Sequence, residues 1–257
     1  WRLWQQENKK QKTKNDRQYS ILKGRSICPH CKHILQAKDL IPVLSWVLLR
    51  GKCRYCKRPI SVQYPLIEAS TAALFILSYT FWPAFQDLHF ETVDIIGFVA
   101  WLGILTGLIA LAVYDIRWMI LPNKIIFPLY VLAAGSILIQ SILTANYDLI
   151  INAIAGAMVG GGIFYVLFQI SGGRWIGGGD VKLGFLLGVT LGDPILSFLM
   201  LFIASLLGSI FSIPMILKTS LGSKSKIAFG PFLIASTVIT YLWGEKIIDL
   251  YNNLLML

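Results

Sequence analysis

Six long stretches of this chain carry no charged side chain: Ala69–Gln86, Ile95–Tyr114, Ile125–Tyr147, Leu149–Gly173, Pro194–Leu217 and Ile227–Gly244. Each is about the ~18–20 residues that a helix needs to cross a ~30 Å hydrocarbon core. In lipid, every backbone N–H and C=O must be satisfied within the protein, so only helices and closed barrels span. Barrel strands would be shorter and would alternate in polarity. A further run, Leu183–Gly192, is shorter and spans if its helix begins upstream near Gly177. The expected fold class is therefore all-α, a polytopic membrane helix bundle of about seven spans. Composition agrees: 56% of residues are hydrophobic and 14% charged, where a soluble domain has roughly 25% charged.

Charge gives the bundle a direction. Residues 1–66 hold 15 of the 23 Lys and Arg against three acids, Glu7, Asp16 and Asp39. Among the connections, Arg117 with Lys124, Arg174 with Lys182, and Lys218 with Lys224 and Lys226 are basic. The alternate connections hold Asp87, Glu91 and Asp94, then Asp148, then Asp193. The positive-inside rule puts the basic set in the cytoplasm. A basic surface can bind nucleic acid, but beside a membrane anionic lipid is the simpler partner, and no nucleic acid is expected. Three segments follow: a basic, mobile stretch over 1–27, a small cytosolic segment over 28–66, and the membrane bundle over 67–257. The chain starts at Trp1, and a further N-terminal span is expected upstream. No internal repeat is legible. Gly156 and Gly160 form a small-xxx-small pair, read as simple helix packing.

All four cysteines fall in the second segment, as Cys28-Pro-His-Cys31 and Cys53-Arg-Tyr-Cys56. Two CxxC pairs offer four thiolates that can close a tetrahedron around zinc. The alternatives are two disulfides or four free thiols, and a cytoplasmic position argues against disulfides. A four-cysteine site leaves no open position, so the zinc would be structural, holding together a segment too short to bury much apolar area. His30 and His33 lie among these ligands and His89 in the opposite loop, which leaves Ser-His or Cys-His chemistry poorly supported.

Carboxylates are costly in a bilayer and tend to mark function there. Most acids here fit solvated outer loops, and Glu68 fits a helix N-terminal cap. Two remain at cytoplasmic ends of spans: Asp115 after LIALAVY, and Asp180 after Ile176-Gly177-Gly178-Gly179. Two such carboxylates in hydrogen-bonding range cannot both ionise easily, so one is base and the other acid. That pair can hydrolyse a peptide without a metal or a covalent intermediate. The three glycines permit positive φ and close backbone approach. Their plain reading is a flexible loop.

At these residues the chain resembles the type IV prepilin peptidases. Tyr114-Asp115 with Pro122-Asn123, and GGGDVKLG at Gly177–Gly184, resemble that family's two aspartyl motifs. The double CxxC followed by ISVQYPLIE, Ile60–Glu68, resembles its cytosolic loop, and AFGPFL, Ala228–Leu233, its late proline-containing segment. The resemblance implies an aspartyl endopeptidase of the bacterial cytoplasmic membrane. It would remove the basic leader from prepilins and pseudopilins at the cytoplasmic face, with Asp115 and Asp180 as the catalytic pair. It implies zinc at Cys28, Cys31, Cys53 and Cys56, and supporting roles for Gly177, Gly178, Gly179, Lys182, Glu68 and Pro231. Many family members also methylate the new N-terminus with S-adenosylmethionine. The competing readings are a GxGD protease with other membrane-protein clients and a transporter. A transporter would place its acids nearer the midplane.

Overall fold

The computed structural model of the chain describes residues 25–82, 85, 91–218 and 228–255. Asp87, His89, Lys224, Lys226 and most of the basic stretch 1–27 lie outside them. Among the described residues every regular element is a helix, apart from two isolated antiparallel bridges. The chain divides into two units, Trp1–Ile76 and Leu77–Leu257.

The first unit is built on turns. A 3-10 turn, Ala37–Asp39, precedes the short helix α1, Leu44–Leu48. Helix α2, Gln63–Phe81, starts in this unit. Gly51 stands at φ +68°, and a Cβ there would come within 2.9 Å of the Trp46 ring, so the turn after α1 requires glycine. Trp46 Nε1 donates to the Ile60 carbonyl at 3.2 Å and closes the loop that carries the second CxxC.

The second unit is a helix bundle. Helix α3, Thr92–Trp118, opens on a capping box in which Glu91 and Asp94 each accept the other's backbone N–H. It ends at Met119 in the left-handed region (φ 51°). Pro122 then starts α4, Asn123–Thr144. The run Leu149–Gly173 becomes one rod in three pieces: α5 (Asp148–Ala157), a π-helical turn (Met158–Gly162) and α6 (Ile163–Ser171). Helices α7 (Gly178–Leu191), α8 (Pro194–Lys218) and α9 (Gly230–Leu255) complete the bundle.

Among the described residues four helices are long and apolar enough to cross a membrane: Thr92–Trp118, Asn123–Thr144, Asp148–Ser171 and Pro194–Ile213. Three other expected spans are helical but do not meet that measure. Helix α7 has 14 residues, or ~21 Å at 1.5 Å per residue, shorter than the ~30 Å core. Helix α9 carries Glu245, Lys246 and Asp249, and α2 carries Glu68 among polar Gln63, Ser70 and Thr71. The outward faces are apolar: Val131 is 74% exposed and Ile142 73%. In water such a surface would drive association. In hydrocarbon it is the solvated side.

Helix α7 runs through the middle. Half of its residues are buried, among them Leu183, Leu186 and Leu187 at 0% exposure. It packs against α4, the three-piece rod, α8 and α9. A short helix covered on nearly every side is stabilised by close packing rather than by removal from water, because lipid is as apolar as leucine. That packing is made by glycines. A Cβ on Gly160 would stand 2.8 Å from the Gly184 carbonyl oxygen, and one on Gly184 would stand 2.5 Å from the Gly160 oxygen. Gly156 and Gly188 meet the same way. The small-xxx-small pair at 156 and 160 is thus matched by a second pair, Gly184 and Gly188, running antiparallel to it.

Candidate active site and metal centre

In the first unit the two CxxC loops are copies of one turn. Cys28 N donates to the His33 carbonyl at 3.0 Å and Lys32 N to the Cys28 carbonyl at 2.9 Å. Cys53 N donates to Arg58 O at 2.8 Å and Lys57 N to Cys53 O at 2.9 Å. Lys32 and Lys57 both stand at positive φ, 57° and 58°. Antiparallel bridges, Ile27 with Ile34 and Lys52 with Pro59, bracket both turns. A local repeat, Cys-x-x-Cys-Lys, therefore does exist and corrects the sequence reading. Its signal is the lysine that follows each second cysteine.

The two turns face each other. All four sulfurs lie within 4.8 Å of one another, and Cys28 Sγ is 3.9 Å from Cys56 Sγ. Zn–S bonds of ~2.3 Å in a tetrahedron require S···S separations of ~3.8 Å. A disulfide needs ~2.05 Å, and all four cysteines are free. The cluster can hold a metal ion. Burial raises the Cys28 thiol, but hydrogen bonds from the Cys31 and His30 backbone outweigh it and bring its pKa to about 7, which favours a thiolate. The histidines serve the opposite turn instead: His30 Nδ1 is 3.4 Å from an Arg58 guanidinium nitrogen, and His33 stacks on Tyr55 at 3.6 Å. Tyr55 and Arg54 in turn donate to Asp39, at 2.9 and 2.6 Å. Glu68 lies within α2 rather than at its start. It accepts the Val43 N–H at 2.7 Å and so caps the N-terminus of α1, a different helix from its own.

In the second unit Asp115 occupies the last turn of α3 and is 6% exposed. Its Oδ2 accepts the backbone N–H of Gly230, at the start of α9, at 3.0 Å. Asp180 lies in the first turn of α7, half-buried, with Gly177 as N-cap. The Asp115 carboxylate is near enough to act electrostatically on Asp180. The end of α3 also reaches α7 through its linker: a Cβ on Gly179 would stand 3.2 Å from Leu121. The acids at the other end of the unit gather separately. Asp94 and Glu245 line a cavity of about 330 Å³ with Gln140, Thr190 and Tyr241.

The glycines before Asp180 work differently from expectation. None of Gly177, Gly178 and Gly179 has positive φ; that conformation falls on Gly172 and Gly173, where the preceding helix ends. Their use is room. A Cβ on Gly177 would crowd Asp180 Oδ2 at 3.2 Å, while beside Gly178 the nearest atom is 3.8 Å away. Lys182 does not turn to Asp180: its Nζ donates to Asn123 Oδ1 at 3.1 Å, joining α7 to the start of α4. Tyr130 adds a second tie to that turn, its hydroxyl donating to the Lys182 carbonyl at 2.6 Å. Pro231 follows Gly230 in the first turn of α9. Sequence reasoning singled out the AFGPFL segment but gave Gly230 no role; it contributes a backbone N–H and room for the Asp115 carboxylate.

Chemically, a buried carboxylate near a half-buried one that follows exposed Gly177 and Gly178 is an arrangement suited to acid–base work. Comparison with known proteins identifies the family. The bacterial peptidase A24 N-terminal domain matches residues 9–82, and the type IV leader peptidase family matches residues 102–213, which include both aspartates. A prepilin leader peptidase/N-methyltransferase of Aeromonas salmonicida is 34% identical, over 94% of this chain and 79% of the relative. Its counterpart in Bacillus subtilis is 33% identical, over 90% of this chain and 87% of its own length. That of Pseudomonas aeruginosa is also 33% identical, over 91% and 76%. No solved structure matches the chain. Two family domains in this order, and relatives covered over most of their length, establish that the chain belongs to the type IV leader peptidase family.

Proposed function

We propose that this chain is an intramembrane aspartyl endopeptidase that cuts the basic leader from type IV prepilins and pseudopilins, with Asp115 and Asp180 as its catalytic pair. The observation that carries this is that the end of α3, through Leu121 beside Gly179, and the start of α7 bring Asp115 and Asp180 to the same end of the bundle, in a chain whose relatives are prepilin leader peptidases. The substrate's apolar helix stays in lipid, and its scissile peptide lies against Gly177 and Gly178. One aspartate is ionised and takes a proton from water as the oxygen attacks the carbonyl carbon. The other gives its proton to the carbonyl oxygen. The tetrahedral diol then collapses, the C–N bond breaks, and the amine leaves with a proton returned through the pair.

The basic residues Arg117, Lys124, Arg174 and Lys182 flank the ends of the helices that carry these acids. By the positive-inside rule this end is cytoplasmic, in the bacterial inner membrane, with the basic segment on anionic lipid. The four cysteines hold zinc in a closed structural site that supplies folding energy and no step of the reaction. The relatives' names also carry N-methyltransferase. A second activity, methylation of the new N-terminal amine with S-adenosylmethionine, follows from that likeness.

Cleavage of a purified prepilin by wild type and by Asp115→Asn and Asp180→Asn tests the reading. Both variants should fold and fail to cut. The wild-type pH profile should be bell-shaped, with two apparent pKa values that belong to the pair. Normal cleavage by either variant would refute the mechanism. Mass spectrometry of the product reads methylation in the same experiment.

A further inference from the structure

We infer that Gly230 is a positioning residue for the catalytic pair: its backbone N–H holds the Asp115 carboxylate in place, and Pro231 keeps that donor without a rival. The inference rests on the proteolytic reading above.

The first N–H groups of a helix have no acceptor within it. At the start of α9, Phe232 N and Leu233 N both donate to the Phe229 carbonyl, at 3.0 and 3.2 Å. Pro231 has no N–H to offer. That leaves Gly230 as the orphan donor of this turn, and it gives its hydrogen to Asp115 Oδ2 at 3.0 Å in a buried setting. Asp115 thus caps α9 from another helix. It lies at the positive end of a 26-residue helix, where a carboxylate is stabilised. A side chain there would crowd the carboxylate. A Cβ on Gly230 would stand 2.5 Å from Asp115 Oδ2, well inside contact distance, so any other residue pushes the carboxylate away.

The rest of the α3–α9 pair keeps this register. Towards the opposite end, Trp101 of α3 stacks on Tyr241 of α9 at 3.9 Å and 4°. Trp101 Nε1 also donates to Ser78 Oγ at 2.9 Å. With the two helices pinned at one end, the Gly230 N–H meets Asp115 at the other.

A donated N–H favours the ionised carboxylate. Removing it should move the acidic limb of the pH–rate profile to higher pH. Among the described residues, the charged groups at this end of the bundle besides Asp115 are Asp180, Lys182, which is tied to Asn123, Arg117, Lys124 and Arg174. They are unchanged in the variants below, so a moved limb reports the lost donor.

The test uses the full chain in lipid, cutting a prepilin. Three variants are compared: Gly230→Ala, an amide-to-ester replacement that puts glycolate at position 230, and Gly135→Ala, which meets nothing within 4 Å. Gly135→Ala should behave as wild type. The ester removes the N–H without adding a side chain, and it also weakens the Phe229 carbonyl as the acceptor of Phe232 N and Leu233 N. It should lower kcat on the order of 10- to 100-fold, leave KM within about twofold and raise the acidic limb. Gly230→Ala should do the same or worse. If Gly230→Ala loses its thermal transition, the ester decides. An ester variant with wild-type kcat and an unmoved acidic limb would overturn the inference while leaving the protease reading standing. Cleavage by Asp115→Asn would instead remove the reading on which it rests.

Discussion

The cysteine cluster and the aspartate pair pose the same problem and solve it in opposite ways. Each brings together polar groups that are distant in sequence. The cysteines are brought together by a turn used twice, each copy closed by its own backbone bonds and bracketed by its own bridge. Little else is needed, because a metal can supply the missing cohesion. The aspartates have no such local device. Asp115 depends on the α3–α9 register and on one N–H, and Asp180 depends on a central helix held by glycine contacts. A metal-binding loop is built locally, whereas a catalytic pair in a membrane is built from the whole bundle.

If that contrast is right, damage should stay on its own side. The largest effect belongs to the metal. Cys53→Ser, or chelation of the wild type, removes binding worth ~10–16 kcal/mol in small zinc domains. The first unit should become protease-sensitive while the thermal transition of the bundle is kept. Metal analysis should fall from one ion per chain to none. A bundle that melts together with the cysteine unit would end the comparison.

Next comes Asp115→Asn, expected to lower cleavage by ~10²–10⁴-fold with metal content unchanged. Smaller again is Gly188→Ala. Its methyl meets the Gly156 backbone, so the two helices must part, at ~1–3 kcal/mol for overpacking. A lower melting temperature of the bundle with partial loss of cleavage is the expected result; an unchanged melting curve would show that the glycine contact is not what holds α7.

The smallest effect concerns Asp39. Burial raises its carboxyl, but hydrogen bonds from Arg54, the Gln36 backbone and Tyr55 outweigh this and hold its pKa below the usual range. A depressed folded-state pKa contributes stability above the unfolded value of ~3.9, and that contribution is lost as pH falls through the folded value. Amide exchange at Gln36, taken relative to the intrinsic rate at each pH, should therefore be steady from neutral pH down to the ordinary carboxylate range and rise only below it. Asp39→Asn should raise it already at neutral pH. Equal exchange in the two proteins at neutral pH would remove Asp39 from the account.

What was legible in the sequence follows the same division. Charge-free runs announce helices because lipid admits no other use for them. Two CxxC pairs announce a cluster because the spacing itself makes the turn. Asp115 and Asp180 could be singled out because ionisable groups are few. Their partners could not. The Gly184–Gly188 pair looks like any other two glycines until Gly156 and Gly160 are laid against it. Gly230 gives an N–H that every residue but proline possesses and leaves out a side chain that would crowd Asp115, and neither sets it apart from the other glycines in the sequence. The positive φ expected at Gly177–Gly179 appears instead at Gly172 and Gly173, because a helix end needs it and a helix start does not.

The glycine seam also bears on how a substrate could enter. Backbone meets backbone at Gly156–Gly188 and Gly160–Gly184 along α7 and the three-piece rod, and the rings of Phe185 and Phe164 pack against the glycines beside them. These helices should therefore move as one stiff body, and Asp180 with them. An opening that admits an incoming helix is therefore expected away from this seam, at helices other than α7 and the rod.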